Sequence, residues 1–414
     1  MRIGRTLPPA AAPLSLNDLF GGLLGFVRGS RDVERFADSL RDTFQVRYCF
    51  LTSSGKAALT LILLALKKAH PGRDRVLIPA FCCYSVPSAI VRAGLKVSLC
   101  DIDRDDFDFN PSQLQEKLAD PRLLCVIPVH LFGQPADIQR LRTLIHDPAV
   151  TIVEDAAQGM GGADEGGLLG TLGDVGIFSL GRGKALSTVE GGIVVTDRED
   201  LAGHLSECYD RFEQYPVLRT LKLVFYAVAL WLLTRPGFFW LPKSLPCLRL
   251  GETLFEPDFP LLQFTGFQAG LARNWRVRLN RAQGIRRKWV NQWRQLLPHA
   301  SFVSSKGIDQ PLLRYPVKLS SAEAARKMIQ LADQHGLGIA LSYPDAIHRI
   351  PELAGEFPGE EYPEAVSAAQ SIVTLPVHEY VNGHDREKIL NLFDPECSMS
   401  IQENNRAEQG TNES

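Results

Sequence analysis

The sequence lacks the cysteine patterns that hold a chain together through metal ions or disulfide bonds. It has eight cysteines in 414 residues, yet no two of them form a C-x-x-C pair, and Cys82 and Cys83 are simply adjacent. Most of the cysteines lie in apolar runs, which favours buried thiols in a reducing compartment over disulfides or zinc ligands. We therefore predict a protein without a metal site.

The chain also lacks an excess of charge of either sign. Its formal net charge is −2 at pH 7, so the chain as a whole offers no electrostatic basis for binding nucleic acid or an anionic membrane. A hydrophobic content of 45% and a charged content of 22% are ordinary for a soluble globular protein. A length of 414 residues exceeds one ordinary hydrophobic core, so two domains are expected.

No apolar run is long enough to cross a membrane. The longest uncharged run, from Leu223 to Thr234, is bounded by Lys222 and Arg235 and falls short of the roughly 20 residues that a span needs. The first 29 residues do not form a convincing signal peptide, because Pro, Asn and Asp interrupt them. We expect a cytoplasmic protein, with peripheral contact at the inner face of a membrane as an open alternative.

Short apolar runs alternate with helical patterns between residues 75 and 196. Strands are predicted at 75–80, 96–103, 123–130 and 150–157, with helices at 84–94, 110–120 and 136–147. This alternation is typical of βαβ units and predicts an α/β fold with a mainly parallel sheet flanked by helices. Ligands of such sheets bind at the carboxyl ends of the strands, where loops 79–83, 130–134 and 154–158 begin.

The later segments suggest a division into domains. Residues 174–196 read as two strands joined by a loop, and 268–297 read as one long basic helix. We predict a large domain at 1–250 with an apolar insert at 217–250, a linking helical segment at 251–300, and a small C-terminal α+β domain at 301–396. The polar residues 397–414 are expected to be a disordered tail.

One lysine is unusual in its surroundings. Lys184 lies in the stretch FSLGRGKALSTVEGG, residues 178–192, among small and apolar side chains. A neutral lysine amine can attack a carbonyl, and its commonest partner in that reaction is pyridoxal phosphate. That cofactor also needs a carboxylate for its ring nitrogen, and hydroxyl groups and helix N–H groups for its phosphate.

The sequence contains candidates for each of these needs. Asp155 ends an apolar strand, Ser54 opens a helix in TSSGKAAL, and Ser179 stands five residues before Lys184. Each feature alone has an ordinary structural interpretation: a turn former, a helix cap or a solvated lysine. Their joint order favours a cofactor site.

The motifs around these residues resemble one protein family. They are SGKAAL (54–59), DID (101–103), PVHLFGQPAD (128–137), VEDAAQGMGG (153–162), GTLGDVGIFSLGRGK (170–184) and EGGIVVT (190–196). Together they resemble the DegT/DnrJ/EryC1/StrS family of fold-type-I, pyridoxal-phosphate-dependent aminotransferases, which act on keto-sugars carried by nucleotides. The likeness covers roughly residues 40–395.

The resemblance implies roles for individual residues. Lys184 would bind the cofactor covalently and move the proton, Asp155 would pair with the ring nitrogen, and Gln158 would contact the 3-oxygen. Ser54, Ser179 and the backbone of Gly55 and Lys56 would hold the phosphate. Lysine at position 184 also argues against the dehydratases of this family, which carry histidine there.

The sequence departs from the family pattern at several positions. Lys56 replaces a threonine, and its side chain could meet the phosphate or point to solvent. Cys83 aligns with the aromatic residue that stacks on the cofactor, with Tyr84 beside it as a substrate candidate. Arg182 could face a substrate phosphate or carboxylate, or be structural, and His348 could reach the substrate. We interpret His130 as a structural residue rather than a base.

The resemblance predicts an aminotransferase that moves an amino group, from glutamate as in relatives, to a keto-sugar nucleotide in surface polysaccharide, lipopolysaccharide or amino-sugar biosynthesis. A homodimer is expected, although the asparagine that the family supplies to the neighbouring subunit's phosphate is not visible in 259–271. The alternative is a non-catalytic or regulatory, membrane-associated member of a glycan-assembly system. A different lysine-dependent reaction, such as elimination, is a third option.

The apolar insert at 217–250 has three interpretations. It could form a dimer interface, or pack as ordinary core. It could also contact a membrane surface through 217–241, with Trp231, Phe238, Phe239 and Trp240 as anchors.

Overall fold

The computed structural model describes residues 3–245, 253–300 and 309–393. The predicted tail at 397–414 and the last residues of the insert, 246–250, lie outside the described residues. No helix within the described ranges combines the length and apolarity that crossing a membrane requires.

Strands in the described part of the chain form three sheets. In chain order they are β1 (Tyr48–Thr52), β2 (Arg75–Pro79), β3 (Lys96–Cys100), β4 (Leu123–Val126), β5 (Thr151–Asp155), β6 (Ala163–Asp164), β7 (Gly167–Leu168), β8 (Val175–Ser179), β9 (Gly192–Thr196), β10 (Tyr315–Lys318), β11 (Ala340–Leu341) and β12 (Ile372–Leu375). The large sheet has the order β1-β9-β8-β5-β4-β2-β3, and β10-β12-β11 form a smaller one. Strands β6 and β7 pair as a short hairpin.

Helices cover the large sheet and the ends of the chain. They are α1 (Leu16–Arg28), α2 (Ser30–Phe44), α3 (Gly55–Ala69), α4 (Ser85–Arg92), α5 (Pro111–Leu118), α6 (Ile138–Leu144), α7 (Glu199–Tyr209), α8 (Val217–Leu233), α9 (Trp240–Lys243), α10 (Gly266–Leu271), α11 (Trp275–Leu296), α12 (Ala322–His335), α13 (Pro363–Ser371) and α14 (Gly383–Asn391).

The large sheet is mainly parallel, as the alternation of strands and helices predicts. Strands β3, β2, β4, β5 and β8 run parallel to one another, whereas β9 is antiparallel to both β8 and β1. All five residues of β5 are buried. Because helices cover both faces of such a sheet, its strands are continuous apolar runs rather than alternating ones. The predicted α/β fold is confirmed.

The small antiparallel sheet packs on a second buried cluster that the N-terminal segment completes. Leu7 is fully buried there, together with Trp293 of α11 and Tyr315 of β10. The backbone N–H of Leu7 donates to the carbonyl of Gly336 at 2.8 Å. The first described residues therefore lie across the small sheet, although they are far from it in sequence.

The prediction of one long helix over 268–297 is wrong. A capping box between Thr265 and Gln268 starts α10, which ends at Leu271 before α11 begins at Trp275. Helix α10 packs so closely on α1 that a Cβ on Gly270 would lie 2.1 Å from the carbonyl oxygen of Gly21. This backbone-to-backbone contact fixes the direction of the short helix, and the basic pattern continues in a separate helix.

His378 ties the N-terminal segment to the small sheet and is expected to make stability depend on pH. Its Nε2–H donates to the carbonyl of Pro8 at 2.8 Å, and its Nδ1 accepts the N–H of Tyr380. Burial, despite the hydrogen bond to Pro8, lowers the pKa of His378 from 6.5 to about 4, and the charges of Arg286 and Arg314 act in the same direction. The folded protein therefore keeps this ring neutral where the unfolded chain binds a proton.

The free energy of unfolding should accordingly fall as the pH drops from 6.5 to 4, and His378 should contribute nothing to the slope above pH 6.5. The loss is on the order of 3 kcal/mol when the two pKa values differ by this much. Urea unfolding across this pH range, compared with His378→Gln, measures it. A variant whose unfolding follows the same pH profile as the wild type would contradict the prediction.

Candidate active site

The turn before α3 forms a cradle of backbone and hydroxyl groups. Ser54 caps α3, and its Oγ accepts the N–H of Ala57 at 3.1 Å. A Cβ on Gly55 would lie 3.0 Å from the Cβ of Ser179, and one on Gly192 would lie 2.2 Å from the carbonyl oxygen of Ser54. These glycines let the ends of β8 and β9 meet the start of the helix. The first N–H groups of a helix have no intrahelical acceptor and attract anions.

Asp155 lies at the carboxyl end of β5, in the middle of the large sheet. Its side chain is 5% exposed, and one carboxylate oxygen accepts the N–H of Ala157 at 2.9 Å. Burial raises the pKa of Asp155, while the hydrogen bond from Ala157 and the charge of Lys184 lower it. The structure thus places the predicted carboxylate and the predicted lysine close enough for their charges to interact.

The loop after β8 carries Lys184, which is half-buried. Gly183 has a φ of +72°, a conformation that L side chains rarely adopt, so glycine suits this position. The loop is held from α11: the buried Arg286 donates to the carbonyls of Lys184 and Ala185 at 3.4 and 3.5 Å. Burial lowers the pKa of Arg286 from 12.5 to about 10.

Tyr343, which follows β11 of the small sheet, completes this region, and sequence reasoning missed it. Its hydroxyl oxygen accepts the amide N–H of Gln158 at 2.8 Å. Burial, and then the charges of Cys83, Cys82 and Asp155, raise the pKa of Tyr343 well above its ordinary value. Only its position at the end of an apolar run marks it in the sequence, and 185 residues separate it from Gln158.

Two predicted site residues already have protein partners. The Lys56 ammonium pairs with Glu256 at 2.9 Å and lies 4.6 Å from the centroid of the Phe259 ring. The hydroxyl of Tyr84 donates to the carbonyl of Asp345 and accepts the N–H of the same residue. These contacts stabilise α3 and α4 against neighbouring loops. Direct contacts of these two side chains with cofactor or substrate stay predictions.

The remaining substrate candidates, Arg182 and His348, contact aromatic rings. Arg182 is exposed, and its guanidinium is 5.9 Å from the centroid of the Tyr226 ring on α8. His348 packs its ring on Tyr362 with centroids 5.1 Å apart, and burial, followed by the charge of Arg349, lowers its pKa. Neither contact involves Lys184 or Asp155, and substrate binding by Arg182 and His348 stays a prediction.

His130 lies fully buried between two polar partners. The N–H of Ala136 donates to its Nδ1 at 3.0 Å, so Nε2 carries the proton that is donated to Glu154 at 2.8 Å. Glu154 also accepts the N–H groups of Gly170 and Gly173. With both ring nitrogens engaged in joining three loops, the geometry supports the interpretation of His130 as a structural residue.

The family model of the DegT/DnrJ/EryC1/StrS aminotransferases matches residues 25–212. The GDP-perosamine synthase of Escherichia coli O157:H7 is 29% identical over 41% of this chain and 46% of its own length. The UDP-2-acetamido-2-deoxy-3-oxo-D-glucuronate aminotransferase of Pseudomonas aeruginosa is 25% identical over 85% of this chain and 87% of its own. The matched segment thus spans less than half the length of relatives such as the GDP-perosamine synthase.

Solved structures agree in fold. The crystal structure of DesI, determined in the presence of its TDP-sugar product, has a TM-score of 0.76 and 19% identity over 98% of this chain and 96% of that one. The motifs at 54–59, 128–137 and 170–196 lie within the segment that the family model matches. Residues 25–212 of this chain are therefore similar to the DegT/DnrJ/EryC1/StrS aminotransferase family.

Proposed function

We propose that this protein is a pyridoxal-phosphate-dependent aminotransferase that transfers an amino group, from glutamate, to a keto-sugar nucleotide. One observation carries the proposal. A half-buried lysine and a buried carboxylate meet at the carboxyl ends of the central strands, beside a helix start lined by hydroxyl groups. The carboxyl ends of the strands are where ligands of α/β sheets bind.

The residues present fit this cofactor. The cradle at Gly55 leaves no room for a side chain between α3 and Ser179, so a phosphate could approach the backbone N–H groups of Gly55 and Lys56. The buried Asp155 has a raised pKa because it is desolvated, and a cationic ring nitrogen would relieve that cost. Both features suit a ligand that is anionic at one end and cationic at the other.

Each residue then has a defined task. When bound, pyridoxal phosphate supplies an electron-withdrawing ring that makes the amino donor's Cα–H acidic. Lys184 would anchor the cofactor and move the proton, and Asp155 would keep the ring nitrogen protonated. Ser54 and Ser179 would hold the phosphate with the helix start. Gln158, itself positioned by Tyr343, would orient the ring through its 3-oxygen.

Two arginines next to the site, Arg314 and Arg286, support an anionic substrate. Burial lowers the pKa of Arg314, which lies close enough to Tyr343 for their charges to interact. Arg286 contacts the Lys184 loop from the other side. Curated relatives include enzymes whose names specify GDP- and UDP-linked sugars. The cations and these relatives together favour a nucleotide sugar as amino acceptor; assembly as a homodimer stays a prediction.

A half-reaction screen tests the proposal. The purified protein is loaded with pyridoxamine phosphate and mixed with a panel of keto-sugar nucleotides that differ in sugar and nucleotide. The matching acceptor should restore the visible absorption of lysine-bound pyridoxal phosphate, and glutamate should remove it again. A protein that binds pyridoxal phosphate but returns no absorption with any acceptor would favour another lysine-dependent reaction. One that develops no absorption with the cofactor would favour the non-catalytic alternative.

A further inference from the structure

Helices α1 and α8 are apolar on the side that faces away from the protein. The residues concerned are Leu16, Phe20, Leu23 and Val27 on α1, and Leu218, Leu221, Phe225, Val228 and Leu232 on α8. Their spacings of three and four residues place each set on one face of its helix. We call this surface the α1/α8 apolar face. The exposed side chains are large: Phe20 is 70% exposed and Phe225 is 69% exposed.

The opposite faces of both helices pack on the protein. On α1 the inward residues are glycines, and a Cβ on Gly25 would lie 2.1 Å from the carbonyl oxygen of Gly266. On α8 the inward residues are Leu223 and Ala227, which lie in one buried cluster with Phe267. On α1 the usual arrangement of a surface helix is therefore reversed, with small residues inside and large apolar residues outside, whereas α8 carries large apolar residues on both sides. The two helices contact one another, and both pack on α10.

The charges around this face are mostly positive. Residues 214–245 contain no Asp or Glu but have Arg219, Lys222, Arg235 and Lys243, of which Lys243 pairs with Asp333 at 2.6 Å. Residues 3–31 have a single carboxylate, Asp18, which is buried and bonded to Ser15. Although the whole chain is close to neutral, the rim of this face is locally cationic. Such a rim is complementary to an anionic surface.

We propose that the α1/α8 apolar face binds the surface of an anionic lipid bilayer, with both helices lying in the plane of the interface. A 17-residue helix is about 25 Å long, too short to cross a hydrocarbon core of about 30 Å. An apolar face with a cationic rim is typical of helices that lie in the interface. Two aromatic residues near the end of α8 are consistent with a position in the interface. Phe238 is exposed, and the guanidinium of Arg235 lies 4.7 Å from the centroid of the Trp231 ring.

A second copy of the chain fits this face less well. In a two-fold dimer the same patch meets itself, so the cations of one rim would approach those of the other. Residues 214–245 contain no Asp or Glu to neutralise these cations, although Lys243 pairs with Asp333 from α12. The insert is not core throughout, because Leu223 and Ala227 are buried whereas Leu218 is 81% exposed.

Vesicle flotation of the full chain tests the proposal. We expect the wild type to float with vesicles of phosphatidylglycerol and phosphatidylethanolamine, and less with phosphatidylcholine alone. Phe20→Ser and Phe225→Ser should each weaken partitioning about tenfold, since each removes a large apolar side chain from the interface. Lys222→Glu should weaken binding to the anionic vesicles only, as should raising the salt concentration. Leu296→Ser, which changes an exposed leucine at the far end of α11, should have no effect.

Two results would overturn the proposal. One is a wild-type protein that stays with the unbound fraction in the presence of the anionic vesicles. The other is a Phe20→Ser/Phe225→Ser double variant that floats as well as the wild type. Sedimentation velocity without lipid tests whether a second copy of the chain covers the face. The face is assigned to a second copy if the wild type is a dimer that does not float and the double variant is a monomer. Leu218→Ser repeats the test if the double variant does not fold.

Discussion

Replacing Lys184 with alanine is expected to abolish the visible absorption that pyridoxal phosphate gives when it is bound to a lysine. Amino transfer should fall by about 10⁴-fold, because the variant loses both the anchor of the cofactor and the group that moves the proton. The fold should survive, since the hydrogen bond at this position is made by the backbone N–H to the carbonyl of Gly181. Absorption spectra with added cofactor and single-turnover rates measure the two effects.

Lys56→Ala is the matched control. Lys56 lies on α3 beside the proposed phosphate cradle, but its ammonium is paired with Glu256. The Lys56 variant should therefore keep the absorption, and any contact of this side chain with the phosphate would appear only as weaker cofactor affinity. If Lys184→Ala retained the wild-type absorption, Lys184 would not be the cofactor lysine.

Asp155→Asn is expected to lower activity while making the cofactor-free protein more stable. Burial raises the pKa of Asp155, so the folded state holds its proton at a higher pH than the unfolded state. Its contribution to stability is therefore lost as the pH rises from the ordinary value of 3.8 through the folded pKa, and at neutral pH the buried carboxylate is a cost. Asparagine removes that cost. The difference should vanish below pH 3.8, where both states are protonated.

The same substitution should reduce the rate of amino transfer by about 10²- to 10³-fold, the usual loss when one electrostatic partner of the reacting group is removed. Adding pyridoxal phosphate should raise the thermal midpoint of the wild type more than that of the variant, because only the wild type can pair a carboxylate with the ring nitrogen. A variant that loses stability without cofactor, or keeps the full rate, would contradict this assignment.

Asp101→Asn is the matched control for Asp155→Asn. Asp101 is also a buried aspartate just after a strand of the same sheet, but its carboxylate accepts three backbone N–H groups, from Ile102, Glu364 and Ala365. Since Asn has one acceptor oxygen instead of two, this variant should lose about 1–2 kcal/mol of stability. Opposite stability changes at two similar aspartates would show that Asp155 is arranged for a ligand rather than for the fold.

Local features allowed the sequence to indicate much of the site. Asp155 ends a continuous apolar run, Ser54 stands where a helix must be capped, and Lys184 lies between glycines, so each signal extends over a few residues. The parallel order of β2, β4, β5 and β8 follows from the alternation of strands and helices, and it brings these strand ends to one edge. No local signal could identify Tyr343 or Arg286, which approach the site from the small sheet and from α11.

The apolar insert at 217–250 also combines a feature that the sequence indicates with one that only the tertiary structure decides. Its apolar composition was plain from the sequence, but composition cannot say which side of a helix faces the protein. The sequence did not indicate that α1 lies beside α8, because that contact depends on the close packing of Gly21 and Gly25 against α10. The leucines and phenylalanines of α1 would otherwise be expected to point inward.

By itself, then, the sequence indicated the resemblance to a family, the parallel α/β sheet, and a candidate lysine and carboxylate for the proposed chemistry. These depend on short-range patterns, on strand periodicity and on motifs with fixed spacing. Only the tertiary structure decided which residues from distant segments surround Lys184, that Lys56 and Tyr84 are held by Glu256 and Asp345, and which faces of α1 and α8 meet solvent. Those outcomes depend on packing between segments far apart in the chain, which no local pattern specifies.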